Sequence, residues 1–186
     1  MNRSSFLKFS VGVVSFLTAP FALLAKQRRR VDKGFKVGTG KDRFNQPINW
    51  FNDDIFFCKV SSKDTDGHIY VYESTRVKKG GPGLHYHHEQ DEWWYVLQGE
   101  FLIKVGNETY EAKAGDSVFG PRKVPHAFAK ISEGDGKLLM LFQPAGKMEE
   151  FFKVISTGAL SKMSNEERTN FSRAHGMEAV GPPLNY

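Results

Sequence analysis

The chain lacks several features that would quickly assign it to a class of protein. Its 186 residues include a single cysteine, Cys58, so no intrachain disulfide can form and the redox compartment cannot be inferred from it. Cys58 follows the apolar residues 55–57, and we interpret it as a small buried hydrophobe. The sequence also contains no phosphate-binding P-loop, no dinucleotide-binding fingerprint and no Ser-His-Asp arrangement at interpretable spacing.

Once residues 1–36 are set aside, the chain has little excess of either positive or negative charge. The formal net charge is +5, of which residues 1–25 contribute +2 and residues 26–36 contribute +5, leaving about −2 for the rest. The basic residues therefore form a short arm, predicted to be flexible over residues 26–44, and not an extended basic surface. We expect no nucleic-acid partner.

Residues 9–25 form the main apolar stretch, and they follow the basic residues Arg3 and Lys8. Ala25 supplies a small residue before a cleavage site, so residues 1–25 are predicted to be a signal peptide for export to the periplasm or the medium. Basic residues directly after an apolar segment favour retention on the cytoplasmic side. An uncleaved membrane anchor, with membrane contact through the N-terminus, is therefore the alternative.

Three of the six histidines lie within residues 85–88. His85 and His87 are two residues apart, so on a strand their side chains point to one face, about 6.6 Å apart along the chain. Glu92 has the wrong parity to share that face on one continuous strand. The polar residues 88–91 can form a turn or bulge that brings its carboxylate back.

His126 is a fourth candidate ligand, further along the chain. Neutral imidazoles and a carboxylate suit Fe, Mn, Ni, Cu or Zn, so the spacing predicts one divalent transition metal held by His85, His87, Glu92 and His126. Surface histidines without a metal are the alternative. His88 has the opposite parity, and we interpret it as solvated or as a supporting residue.

The first of these segments resembles the first signature motif of the cupin superfamily, Gly-x5-His-x-His-x3-4-Glu-x6-Gly. It matches from His85 through Glu92 to Gly99, with Lys79 at the position of the leading glycine. The segment around His126 resembles the second motif, Gly-x5-Pro-x-Gly-x2-His-x3-Asn. Gly115 and Pro121 match, whereas lysines replace its second glycine and its asparagine, at Lys123 and Lys130.

This resemblance implies an all-β fold, the double-stranded β-helix or cupin jelly-roll barrel, over a cupin domain at residues 45–150. Within the superfamily the chain is most similar to bacterial single-domain cupins grouped with quercetin dioxygenases. That similarity implies dioxygen-dependent oxidation of a small hydroxylated, flavonol-like aromatic compound, with Glu92 taking a proton from the bound hydroxyl group. A non-catalytic small-ligand or carbohydrate-binding protein is one alternative, and a metal-dependent isomerase or epimerase is another.

The residue pattern independently predicts many short strands. Strand-like runs alternate with turn signals, as expected for an antiparallel sandwich or barrel; they cover residues 69–72, 93–97, 101–105, 109–112, 117–119, 126–128 and 138–142. Residues 151–186 are predicted to form short C-terminal helices packed on the barrel. Two signals favour helices. Apolar residues recur at helical spacing at Met148, Phe151, Phe152 and Ile155, and Ser164 with Glu167 can form a capping box. A substrate lid is the alternative.

Strand parity also suggests a wall for a substrate pocket. Trp94 and Val96 share a face with Glu92, and Phe128 shares one with His126. These aromatic and aliphatic side chains suit a planar aromatic substrate, although plain core packing is the alternative.

The opposite face of the same predicted strand carries Trp93 and Tyr95, which point toward a helix or a second subunit. Because small sheets have exposed edges to protect, and because the cupin resemblance implies association through an outer face, we predict a homodimer.

Overall fold

The computed structural model describes residues 30–50 and 53–186. The predicted signal peptide or anchor at residues 1–25 lies outside the described residues, as does the start of the basic arm. Among the described residues, no helix combines the length and the apolar character needed to cross a membrane.

The described residues form eleven strands, all paired antiparallel, in two sheets. In chain order the strands are β1 (Ile48–Asn49), β2 (Ile55–Val60), β3 (Tyr70–Arg76), β4 (Gly83–His87), β5 (Asp91–Gln98), β6 (Glu100–Val105), β7 (Glu108–Lys113), β8 (Ser117–Gly120), β9 (His126–Lys130), β10 (Gly136–Gln143) and β11 (Met177–Pro183). One sheet has the order β1-β2-β3-β10-β5-β8, and the other has the order β11-β4-β9-β6-β7. The two sheets face each other as a jelly roll, which confirms the predicted fold class.

Alternation of buried and exposed side chains explains why these segments form strands. In β5, Glu92, Trp94 and Val96 are buried, whereas Trp93 and Tyr95 between them are partly exposed. Strand β10, which pairs with β5, alternates in the same way. The seven strands predicted from alternation and turn signals are confirmed as β3 and β5 to β10.

Aromatic rings fill much of the space between the sheets. Tyr70, Tyr72 and Phe142 lie on neighbouring inward positions, with ring centroids 5.4 to 6.4 Å apart. Phe56 and Phe152 meet edge to face at 5.4 Å. Burial of each such side chain contributes roughly 1.5–3 kcal/mol, so this cluster is a main source of barrel stability.

Two α-helices follow the last strand of the larger sheet: α1 (Met148–Ile155) and α2 (Asn165–Ala174), with a 3-10 turn (Ala159–Lys162) between them. The capping box at the start of α2 is confirmed, because Glu167 N–H donates to Ser164 Oγ and Ser164 N–H donates to Glu167 Oε2. Gly176, with a φ of 85°, follows the end of α2 and takes the left-handed conformation that stops a helix.

The C-terminal segment differs from the helical extension predicted for residues 151–186. Helix α1 begins at Met148, inside the predicted barrel range, and α2 is followed by a strand, β11, that pairs with β4. The helical prediction is wrong for β11. No sequence signal predicted a strand here, because residues 177–183 contain Gly181 and two prolines, which are unusual within strands, and lack a β-rich pattern. Pairing with the free edge of β4 makes this segment a strand.

The end of the basic arm is fixed to the barrel. The buried Asp42 carboxylate accepts the Cys58 N–H at 2.7 Å, and Arg43 forms an ion pair with Asp64 at 3.2 Å. These contacts join residues 42 and 43 to the barrel, and the flexibility of residues 26–44 stays a prediction. Cys58 is buried, as predicted, and burial raises the pKa of its thiol to about 12, which makes it unreactive at neutral pH.

Candidate metal centre

Three strands bring the four predicted ligands together. His85 and His87 lie on β4, and His126 is the first residue of the adjacent strand β9, directly opposite His85. Glu92 lies on β5 of the facing sheet. One donor atom from each side chain lies within 4.8 Å of the other three, so the cluster joins the two sheets.

The change of parity between His87 and Glu92 is resolved as the sequence predicted. Strand β4 ends at His87 and β5 begins at Asp91, and residues 88–90 turn between the two sheets. His88 lies outside the cluster: its side chain is 42% exposed, with Nε2 3.8 Å from Glu178 Oε2. The structure therefore places His88 as a surface residue.

Backbone carbonyl groups set the orientation of two imidazoles. His85 Nδ1 lies 2.8 Å from the Gly83 carbonyl oxygen, and His126 Nδ1 lies 3.0 Å from that of Val124. A carbonyl oxygen only accepts hydrogen bonds, so each Nδ1 carries the proton and each Nε2 keeps its lone pair. Both rings are therefore held in the tautomer that a metal ligand needs.

The spacing of three of the donor atoms fits a transition-metal ion. Glu92 Oε2 lies 3.1 Å from both His87 Nε2 and His126 Nε2. Two ligands that each lie about 2.1 Å from one ion at a right angle are separated by about 3.0 Å. With Nδ1 protonated, the buried His126 Nε2 and the Glu92 Oε2 that faces it at 3.1 Å are both acceptors. Buried polar atoms of this kind need a partner, and a cation would supply it.

The electrostatics of the cluster favour the protonation states of metal ligands. Burial alone would raise the pKa of Glu92, but the neighbouring His126 and His87 hold it well below its usual range. Burial lowers the pKa of His85 to about 4, although Glu92 raises it in part. At neutral pH the carboxylate is therefore ionised and the His85 ring is neutral, as metal coordination requires.

Trp94 supports the cluster from the protein interior. Its ring packs edge-on against His126 at a centroid distance of 5.2 Å. On the paired strand β8, Gly120 leaves room for this ring, because a Cβ there would lie 2.7 Å from Trp94. Trp94 thus fixes an imidazole. Trp94 and Val96 are buried but are not among the residues that line the cavity beside the cluster.

A cavity of about 290 Å³ adjoins the cluster. His85, His87 and Glu92 form part of its wall, and Phe128 lines it, as parity predicted. The other lining groups are mainly aromatic and aliphatic side chains from β2, β3, β10, α1 and the last strand, together with a few charged ones; they include Phe56, Tyr72, Phe142, Met148, Phe152 and Met177. The volume is close to the lower limit of ligand pockets, roughly 300 Å³, and suits a compact molecule.

Sequence reasoning missed the cavity residue Arg76 and its partner Asp54. Arg76 has the same strand parity as the buried Tyr70 and Tyr72. A charged residue at an inward position is the signal that would have identified it, because buried charges are rare unless they are paired. The contributions of α1 and β11 could not be read from the motifs, since both elements reach the cavity from distant parts of the chain.

The departures from the cupin motifs leave the cluster unchanged. Lys123 takes a left-handed conformation, with φ of 65°, and its N–H donates to the His87 carbonyl oxygen at 2.7 Å. Lys130 is buried, and its Nζ donates to the carbonyl oxygens of Val77 and Gly134. Both lysines therefore have structural contacts, and neither is among the four clustered side chains.

Comparisons with known proteins agree with this fold. The family described as "Cupin domain" matches residues 74–142. A protein of Streptomyces coelicolor is 42% identical over 93 residues, which are 50% of this chain and 83% of that protein. A protein of Methanocaldococcus jannaschii is 34% identical over 67 residues, so the matched part spans 36% of this chain and 54% of that relative. The chain belongs to the cupin superfamily.

Three solved structures are similar to part of the chain, each at low sequence identity. An RmlC-like cupin from Shewanella frigidimarina has a TM-score of 0.48 and 22% identity, covering 61% of this chain and 92% of its own. KdgF from a Halomonas species has a TM-score of 0.48 and 18% identity, covering 53% of this chain and 87% of its own. A predicted oxalate decarboxylase from Thermotoga maritima has a TM-score of 0.47 and 20% identity, covering 49% of this chain and 80% of its own.

Proposed function

We propose that the protein is a metal-dependent enzyme that oxidises a small hydroxylated aromatic compound with dioxygen. The observation that carries this proposal is the position of the His85, His87, Glu92 and His126 cluster against the cavity with many aromatic side chains. Four protein ligands leave one or two positions free on a metal that accepts five or six, which distinguishes a reactive site from a closed structural one. The similarity that we infer from the sequence, to single-domain cupins grouped with quercetin dioxygenases, favours the same chemistry.

A bound divalent transition metal would supply Lewis-acid polarisation of a substrate oxygen and, if redox-active, a route to reaction with dioxygen. The protein would supply positioning and proton transfer. Glu92 is the proposed proton acceptor for the substrate hydroxyl, because its carboxylate lies in the cavity wall beside the other three ligands. The surrounding apolar rings would exclude water from the reacting groups.

Oxygen uptake tests this proposal. The full-length protein is loaded separately with Fe, Mn, Ni, Cu or Zn and mixed with catechols and flavonols, and dioxygen consumption and products are measured. We expect consumption with at least one redox-active metal and none with Zn. Glu92→Gln is expected to slow turnover by about 100-fold or more, whereas Glu89→Gln, on the exposed turn beside it, serves as the control.

Other outcomes distinguish the alternatives. Tight ligand binding without any chemical change, with every metal, would contradict the oxidation and favour a binding protein. Conversion of a substrate without dioxygen consumption would instead favour an isomerase or epimerase.

A further inference from the structure

Arg76 occupies the cavity beside the metal cluster. It is the last residue of β3, is 8% exposed and lines the same cavity as His85 and Glu92. Its guanidinium carbon lies 5.0 Å from the ring centroid of Phe56 and 4.8 Å from that of Phe128. Cation–π contacts of this kind hold a guanidinium group in place without using its N–H donors.

The hydrogen bonds of Arg76 are incomplete. Its Nη1 donates to Asp54 Oδ2 at 3.0 Å, and the other Asp54 oxygen accepts the Val77 N–H at 2.9 Å. The buried Arg76 Nε makes no hydrogen bond among the described residues. An unpaired buried N–H of a charged group is costly, so this donor calls for an acceptor that the described protein atoms do not provide.

Tyr72 adds a second donor in the same cavity. Its side chain is 1% exposed and lines the cavity. Burial raises the pKa of Tyr72 well above its usual value, Glu92 raises it further and Arg76 lowers it. The phenol therefore stays protonated, and it lies within electrostatic range of both the metal cluster and Arg76.

The charges around the cavity favour an anion. Arg76, Lys78 and Lys79 line it, against the two carboxylates of Asp54 and Glu92. Lys79 pairs with Glu133 at 2.6 Å, and Lys78 is exposed. A bound divalent cation would add further positive charge, so the field would attract a negatively charged substrate.

We propose that the substrate carries a carboxylate that binds the Arg76 guanidinium group and the Tyr72 hydroxyl while its hydroxyl end faces the metal cluster. This inference rests on the proposed function, since it assigns the second end of the same substrate. Phe128 lies two residues along β9 from His126, and the guanidinium group contacts the Phe128 ring. The two ends of the substrate are therefore on the order of 10 Å apart, about the length of one aromatic ring with a short acidic side chain.

Caffeate and its methyl ester form a matched pair of probes for this site. Both carry the same catechol, and at the far end a neutral methyl ester replaces the carboxylate. Their binding to the zinc-loaded full-length protein is measured by calorimetry, because zinc allows binding without oxidation. We expect caffeate to bind roughly 10- to 100-fold more tightly than the ester, as a charge-assisted hydrogen bond to a buried arginine provides.

Variants separate Arg76 from the metal as the carboxylate's partner. In Arg76→Met the preference for caffeate should disappear while the affinity for the ester is retained; in Arg168→Met, on the exposed face of α2, the preference should remain. If Arg76→Met fails to fold because Asp54 is left unpaired, the double variant Asp54→Asn/Arg76→Met replaces it. Equal binding of acid and ester to the wild-type protein, or a preference that persists without Arg76, would overturn the inference.

The two proposals fail separately. A caffeate preference that depends on Arg76, without dioxygen consumption by any metal form, would support the anion site and contradict the oxidation. Oxidation of neutral catechols with no preference for the acid would support the oxidation and contradict the anion site.

Discussion

Single residues set the geometry of the metal cluster more through their backbone than through their side chains. The carbonyl groups of Gly83 and Val124 fix the tautomers of His85 and His126. Each of these carbonyls precedes its histidine by two residues, so the local chain path orients the ring as soon as the strand forms. The ligands are thus held ready before an ion binds, which reduces the ordering that binding requires.

The ligand assignment predicts the effect of individual substitutions. His85→Ala and His126→Ala should each lower affinity for a divalent transition metal by roughly 100-fold or more, since even residues that only support a ligand are worth 10- to 100-fold. The barrel should remain folded because its core lies elsewhere between the sheets. Metal stoichiometry after loading and dialysis, with circular dichroism for folding, measures both effects.

His88→Ala is the matched control for these variants. It removes an adjacent imidazole that lies outside the cluster, and we expect unchanged metal binding. Full metal retention in both His85→Ala and His126→Ala, or metal loss in His88→Ala, would show that the ligands are wrongly assigned.

Lys123 offers a test of backbone strain near the cluster. A lysine in the left-handed conformation costs roughly 1–2 kcal/mol, and glycine removes this cost while adding roughly 0.5–1 kcal/mol of chain entropy. Lys123→Gly should therefore raise the free energy of unfolding by about 0.5–1 kcal/mol, measured by urea denaturation. Lys113→Gly, in exposed strand β7 without a positive φ, should lower it. Destabilisation by Lys123→Gly would contradict the strain argument.

At the scale of elements, helix α1 is joined to the barrel through a buried carboxylate. Glu149 accepts hydrogen bonds from the hydroxyl groups of Ser61 and Ser62, at 2.8 Å and 2.6 Å, and from Lys153 Nζ at 2.6 Å. Because α1 also supplies Phe152 and other side chains to the cavity wall, this contact fixes one side of the proposed substrate site.

The Glu149 contact predicts a dependence of stability on pH. Burial raises the pKa of Glu149, but Lys153, Ser62 and Ser61 outweigh it and hold the pKa below its usual value of 4.5. The stabilisation is therefore complete above about pH 5 and is lost as the pH falls below that value. At pH 7 Glu149→Gln should cost roughly 1–2 kcal/mol, and the difference from wild type should shrink below pH 4.

Denaturant unfolding at pH 7 and pH 3.5 measures this effect. Glu150→Gln, the exposed neighbour on the same helix, is the control and should change stability little at either pH. A cost of Glu149→Gln that is equal at both values would contradict the linkage.

The elements that the sequence could predict are those with a local signal. Strands β5 and β10 alternate strictly, and the capping box marks α2, so both types of element were predicted within a few residues. Strand β11 has no such signal, because it is made by pairing with β4 and its prolines disfavour a strand. The same limit applies to Arg76: its parity was visible, but its place beside the metal cluster depends on the fold of three strands and a helix.

At the scale of the whole molecule, the outer face of the six-stranded sheet is apolar near one edge. Phe119 on edge strand β8 is 56% exposed and lies opposite Trp93 of β5. Trp93 and Tyr95 are partly exposed beside it, with ring centroids 5.8 Å apart. A patch of aromatic rings at a sheet edge is typical of an interface, and we propose a second copy of the chain as its partner.

This proposal predicts a change of oligomeric state on one substitution. Phe119→Arg places a charge in the centre of the patch and should convert a dimer into a monomer, measured by light scattering after size-exclusion chromatography. Tyr110→Arg, at a similarly exposed position on the other sheet, should leave the dimer intact. A wild-type protein that is monomeric at tens of micromolar, a concentration at which stable dimers persist, would contradict the interface.

Export through residues 1–25 remains our proposal for the N-terminus.

Metal content is the measurement that tests the central claim most directly. Elemental mass spectrometry is applied to the full-length protein, expressed without a polyhistidine tag, before and after loading with a transition metal and dialysis. The geometry of His85, His87, Glu92 and His126 predicts about one transition-metal ion per chain, lost in the His126→Ala variant. A folded protein that retains no metal after loading would contradict the account of the site, and only the cupin fold would remain.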